Sequence, residues 1–388
     1  MTLQHRIDEI LQGAIRPGGL PCAAMTVFDR DGVLLESAAG RRSEAGGEAM
    51  TIDSVLWIAS LTKAVTAAAA MQCVERGLLD LDAPAGELQS WLAEAPVLEG
   101  FDAEGTPQLR PHEGTITLRN LLTHTAGFGY IMWNADLLRH HQAGAFPALN
   151  TRKLAALKQP LSFDPGTDWQ YSIAIDWAGV LVETVTGAPL GDWMREHIFG
   201  PLGMDSTGFE ISDDMRARLV LQRSRDGDGF TETAPLPPPE DPEFDLGGGG
   251  LYSTVRDYAR FARMILRGGE LDGMRVLQPE TVAEMSRNNM GDLRVRLLPS
   301  AMAAVTNDAE FFPGVPKTWG LSFMINEEDA PTGRPAGSLA WAGLANSYYW
   351  IDAKNGIGGV FSSQLFPFVD HVALPLYLEA EKAVYESL

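Results

Sequence analysis

Ser60-Leu61-Thr62-Lys63, running on through Ala64-Val65-Thr66-Ala67-Ala68-Ala69-Ala70-Met71-Gln72-Cys73-Val74-Glu75-Arg76 to Gly77, is the stretch on which the reading of this chain turns. The run from Ala64 is rich in helix formers and Gly77 supplies a stop, so the segment predicts a helix with Ser60 at its start. Residues three apart share a helix face, which brings the Lys63 amine within reach of the Ser60 hydroxyl. A serine can be activated that way without histidine. Amide donors and the dipole at a helix N-terminus would also favour negative charge developing beside Ser60. Ordinary composition yields roughly one or two chance Ser-x-x-Lys matches in a chain this long. Here the pattern occurs once, among six lysines.

The sequence around that helix reads as globular. At 388 residues it is long enough for a large core. Apolar residues at 45% and charged residues at 21% argue against disorder. The net charge of -21 repels phosphate backbones and anionic membrane surfaces, which excludes nucleic acid as an expected partner. The start, Gln4-His5-Arg6-Ile7-Asp8-Glu9-Ile10, lacks the basic and apolar regions of a signal peptide. Apolar runs such as 64–71 are too short to cross a bilayer. A soluble cytoplasmic protein is the expectation. Cys22 and Cys73 lie in apolar surroundings and read as buried free thiols.

Periodicity outlines the fold. Leu3, Ile7, Ile10 and Leu11 form one stripe of a short helix over 3–14. Residues 23–28 and 33–38 flank Asp31-Gly32 as a hairpin, and strands return at 319–325, 338–342, 347–351 and 358–363, with Asn355-Gly356 as a tight turn. A helix over 369–386 closes the chain. Strands from both ends, separated by mostly helical sequence, predict an α+β fold: one antiparallel sheet built from both termini, flanked by helices, with a mainly helical lobe inserted. The expected division is 1–58 with 308–388 against 59–307, the Ser60 helix lying at the junction where clefts form. Within the middle, a helix from Thr117 ends at Leu121-Leu122-Thr123-His124-Thr125-Ala126-Gly127, Pro235 to Pro239 is a loop, and Ser253 or Thr254 caps a helix over 255–267. Gly247 to Gly250 lack the Gly-Lys-Ser/Thr that would make a phosphate loop.

Two further motifs carry chemistry. A Pro- and Gly-rich turn from Phe163 delivers Tyr171 and Ser172 just ahead of an apolar helix at 173–185. A neighbouring ammonium would lower the Tyr171 pKa toward phenolate. In Trp341-Ala342-Gly343, on a late strand, Gly343 permits close approach of a ligand to the backbone. Phe128, Tyr130, Trp133 and Trp169 cluster near these motifs in sequence, either as core or as the wall of an acyl pocket. His124 reads as a polar helix end rather than a base, His140-His141 do not share a helix face as metal ligands would, and no Gly-x-Ser-x-Gly elbow is present.

Ser60-Leu61-Thr62-Lys63, Tyr171-Ser172-Ile173 and Trp341-Ala342-Gly343 follow in the order and approximate spacing of the serine beta-lactamase and penicillin-binding superfamily. Linking segments at 121–127, 164–172, 201–209 and 247–254 resemble its class C branch, and the chain is most similar to the beta-lactamase-like carboxylesterases, also called family VIII esterases. The resemblance implies a class C beta-lactamase-like fold and acyl transfer through a Ser60 ester. It implies Lys63 and Tyr171 as the acid-base pair, the backbone N–H groups of Ser60 and Leu344 as oxyanion donors, and no cofactor or metal. Ile173 stands where class C beta-lactamases have Asn, and Trp341 where they have Lys. The first change removes an amide, the second a cation, that engage the antibiotic. A tryptophan there suits a neutral, partly apolar group. The expected partner is therefore a small-molecule ester; a beta-lactam, a D-amino peptide, a transacylase acceptor, or a silent scaffold role are the alternatives. Oligomeric state is not read from the sequence.

Overall fold

The computed structural model describes residues 2–44, 47–233 and 239–388, which leaves the expected loop at 235–239 outside the described residues apart from its last position. Its centre is a seven-stranded antiparallel sheet: β1 (Cys22–Asp29), β2 (Val33–Gly40), β3 (Lys317–Trp319), β4 (Met324–Asn326), β5 (Leu339–Gly343), β6 (Ser347–Asp352) and β7 (Ile357–Ser362). The spatial order is β3-β4-β5-β6-β7-β1-β2, so the two ends of the chain meet where β7 pairs with β1, Ala24 opposite Ser362 and Asp29 opposite Ile357. The expected single strand over 319–325 is two strands. The chain reverses between Trp319 and Met324 through Ser322 at φ +76, a turn that the apolar run Leu321-Ser322-Phe323 does not advertise.

Six helices frame the sheet and the site: α1 (Leu3–Ala14), α2 (Thr62–Glu75), α3 (Leu118–Thr123), α4 (Ala174–Thr186), α5 (Val255–Leu266) and α6 (Ala373–Tyr385). The last begins four residues later than its sequence pattern suggests. The sheet is covered on both faces, as adjacent strand residues reveal, because neighbours on a strand point to opposite sides. Ser37 donates to Asp8 of α1 at 2.6 Å, whereas Glu36 accepts from Arg256 of α5 at 2.9 and 2.8 Å. Tyr348 likewise stacks on Tyr377 of α6 at 4.7 Å between centroids, and Tyr349 packs on Tyr258 of α5 at 5.2 Å. The middle of the chain also holds antiparallel hairpins that periodicity missed, Pro96–Phe101 with Pro107–Pro111 and Gln222–Asp226 with Gly229–Thr233.

Helix α2 is buried from Thr62 to Cys73 on every side, which its alanine run allows by presenting small apolar surface all round. It packs against α4. A short ladder pairs Leu56–Trp57 with Tyr252–Ser253 and thereby draws the glycine run at 247–250 to the start of α2. Both cysteines are buried and free. Among the described residues no helix is long and apolar enough to cross a membrane.

Candidate active site

Ser60 lies in a 3₁₀ turn, Ala59–Leu61, that precedes α2 rather than in the helix proper. Ala59 adopts φ +46, a left-handed conformation that costs a non-glycine residue about 1–3 kcal/mol and persists only where surroundings dictate it. Here the Thr62 hydroxyl donates to the Ala59 carbonyl at 2.6 Å while accepting from the Leu251 N–H at 3.1 Å, which ties the turn to the glycine run. Ser60 is half-buried; Lys63 and Tyr171 are 1% exposed.

The expected one-turn contact is present: Lys63 Nζ lies 3.2 Å from Ser60 Oγ. Two further oxygens hold the amine, the Tyr130 hydroxyl at 2.9 Å and the Gly248 carbonyl at 2.5 Å. Burial pushes the Lys63 pKa down to about 7, with the carboxylate of Asp176 opposing the fall. A buried amine whose pKa is lowered toward neutrality can take a proton from the hydroxyl beside it.

Tyr171 departs from the sequence expectation. Its pKa is raised, not lowered, because burial of the phenolate outweighs the hydrogen bonds from Ser60 and Trp341 that favour it. Lys63 sits over the Tyr171 ring, 4.8 Å from its centroid, and the group donating to the phenol oxygen is the Trp341 indole N–H at 2.8 Å. Burial therefore favours the protonated phenol of Tyr171, next to a lysine whose charged form burial disfavours.

The pocket residues divide. Tyr130 and Trp133 do surround Tyr171, with centroids at 5.5 and 5.6 Å. Trp169 stands one ring behind, against Trp319 at 5.7 Å, and Ile173 is buried at the start of α4. Phe128 is core, packed 6.5 Å from Trp177. Trp341 is only 5% exposed, so its indole serves the phenol as a donor as well as presenting an apolar face. Gly343 makes room for protein rather than ligand: a Cβ there would stand 2.4 Å from the Ile58 carbonyl, so the absent side chain lets β5 approach the Ser60 turn. Leu344, half-buried, opens the turn after β5.

His124 caps α3 in a left-handed conformation, φ +60. Its ring lies 4.6 Å from that of Tyr171, its Nδ1 is 3.1 Å from the Ser172 hydroxyl, and burial beside Lys63 holds its pKa well below the usual value. The loop that carries Tyr171 is fastened to this corner by Gly166 N–H to the Thr125 carbonyl at 2.7 Å and Gln170 N–H to the His124 carbonyl at 3.1 Å. Sequence reasoning missed Asp176 and the hydroxyl contact of Tyr130. A lone acid in the apolar run Ala174-Ile175-Asp176-Trp177-Ala178 was the available signal, since a buried carboxylate needs a partner. Among the described residues no three His, Cys, Asp or Glu side chains gather as a metal site. A cavity of about 700 Å³, lined by Arg152, Glu183, Phe209 and Asp245, lies apart from this cluster. Chemistry rather than size marks the site.

A model of the Beta-lactamase family matches residues 7–382. The chain belongs to the Beta-lactamase family. It is 33% identical over 384 residues to a lovastatin esterase of Penicillium rubens, covering 94% of each chain. It is 34% identical over 351 residues to a monacolin J acid methylbutanoyltransferase of Aspergillus terreus, covering 87% of this chain and 83% of the relative. The solved structure of unliganded simvastatin synthase (LovD) from Aspergillus terreus superposes with a TM-score of 0.83 at 30% identity, over 99% of this chain and 98% of that one. This Beta-lactamase family member is thus an enzyme of the esterase and acyltransferase type, with the penicillin-binding fold.

Proposed function

We propose that this enzyme cleaves small neutral carboxylic esters through a covalent ester on Ser60. The observation that carries the reading is the buried Lys63 amine, 3.2 Å from Ser60 Oγ, whose burial lowers its pKa. Lys63 takes the Ser60 proton as Oγ attacks the carbonyl carbon, and the N–H groups of Ser60 and Leu344 receive the oxyanion. Tyr171, protonated at rest, gives its proton to the departing alkoxide and regains one from Lys63. Water then opens the acyl-enzyme with the same pair acting in reverse.

Substrate class follows from Trp341. With an indole where a carboxylate-binding lysine would stand, and with a net charge of -21, an anionic substrate lacks an anchor and meets an unfavourable field. We expect p-nitrophenyl acetate or butyrate to show a kcat/KM at least about a hundredfold above that of a penicillin, a cephalosporin or a D-Ala-D-Ala peptide, roughly 2.7 kcal/mol. Preference for any of those carboxylates sinks the reading. A second reading, transacylation, is supported by the methylbutanoyltransferase relative. Adding an alcohol acceptor separates the two: product partition that stays with water at high acceptor favours hydrolysis.

A further inference from the structure

The glycine run at 247–250 takes no part in the proton transfers, although it lies against Lys63 and the start of α2. Thr66 donates to the Gly247 carbonyl at 2.7 Å, Lys63 to the Gly248 carbonyl at 2.5 Å, and the Trp57 indole to the Gly249 carbonyl at 2.7 Å. From the opposite side, Asp176 on α4 accepts the Gly248 N–H on Oδ1 at 2.7 Å. Its other oxygen, Oδ2, has no hydrogen-bond partner among the described residues, and the residue is wholly buried. A Cβ on Gly248 would stand 2.3 Å from that oxygen, so only glycine lets the strand of loop lie between the carboxyl and the amine. An unpaired carboxyl oxygen inside a protein is costly and calls for a charge nearby.

Resting on the Ser60 reading, we propose that Asp176 is a positioning residue for Lys63: it fixes the Gly248 peptide on which the amine rests, and its charge keeps that amine basic enough to deprotonate Ser60. Burial alone would drive the lysine toward a neutral but feeble base. The carboxylate opposes that fall and is itself raised by burial, with the Lys63 charge pulling it back. The other groups facing the pair come from three segments. Tyr130 and His124 reach it from the chain after α3, Tyr171 from the loop before α4, and Ser60 from the turn before α2. Burial disfavours the ionised form of each of the first three, which leaves Asp176 as the one negative charge among these groups.

The test is the pH profile of Asp176→Asn, which keeps an oxygen for the Gly248 N–H and removes the charge. For p-nitrophenyl acetate the rising limb of kcat/KM should move about one unit to lower pH, the scale on which a close opposite charge acts. The alkaline plateau should fall about threefold, because a less basic amine is a weaker base. A lowered plateau with the limb in place means a packing role only and overturns the proposal. The wild-type enzyme provides a check that needs no variant. With ¹³C-labelled lysine, the ε-carbon of Lys63 should titrate in two steps, the lower one matching the carboxyl carbon of Asp176. A single step overturns the coupling. Labelling with a fluorophosphonate keeps the two ideas apart: an unmoved limb in an enzyme labelled on Ser60 removes Asp176 alone, whereas an adduct on another serine removes the Ser60 reading and this one with it.

Discussion

Helices α2 and α5 both begin beside the segment that carries the glycine run, yet they are built on opposite terms. Helix α5 is capped by Thr254, whose hydroxyl accepts the Asp257 N–H at 3.0 Å, and Asp257 in its first turn accepts from Ser206 N–H at 2.8 Å and the Thr207 hydroxyl at 3.0 Å. Two of its arginines are ion-paired, Arg256 to Glu36 and Asp53 and Arg260 to Asp272. Helix α2 has no side-chain cap, follows a left-handed alanine, and buries an amine among tyrosines. One N-terminus satisfies its donors with its own side chains; the other leaves room beside a hydroxyl. Features that lower stability are concentrated where a reaction needs them.

Substitutions at the two helices should therefore separate activity from stability. The largest effect is expected at Ser60→Ala, a loss of about three to six decades in kcat with the melting temperature nearly retained. Near-normal turnover by that variant would erase the contrast. Next, Lys63→Ala and Tyr171→Phe should each cost almost as much as the double variant, because members of one proton-transfer unit are not additive. In the unaltered enzyme, kcat/KM should rise with pH through about 7, since activity needs the neutral amine and burial has lowered the Lys63 pKa into that range. Additive losses, or a limb near the ordinary lysine value, would break the pairing. The smallest effect belongs to the capped helix. Thr254→Ala should lower stability by about 1 kcal/mol, only about 1 °C in melting temperature for a chain of this size. Its kcat/KM should stay within about twofold of the unaltered enzyme, by analogy with substitutions remote from reacting groups.

Local signals carried the parts of this protein that neighbouring residues decide. The Asp31-Gly32 hairpin, the Thr254 cap, the stripe of α1 and the one-turn spacing of Ser60 and Lys63 are all set within a few residues, and all are found where periodicity and turn chemistry put them. The order of three short motifs was enough to place the chain in its family. What tertiary structure alone decided is what depends on distant chain segments. The meeting of Lys63 with Tyr130 and Gly248, the indole of Trp341 on the Tyr171 hydroxyl, and Asp176 behind the glycine run join residues 67 to 185 positions apart. The protonation of Tyr171 belongs to the same class. From sequence, a neighbouring ammonium predicts a lowered pKa; in the folded protein, desolvation overrides it, and desolvation is a property of everything packed around the ring rather than of the ring's neighbours in sequence.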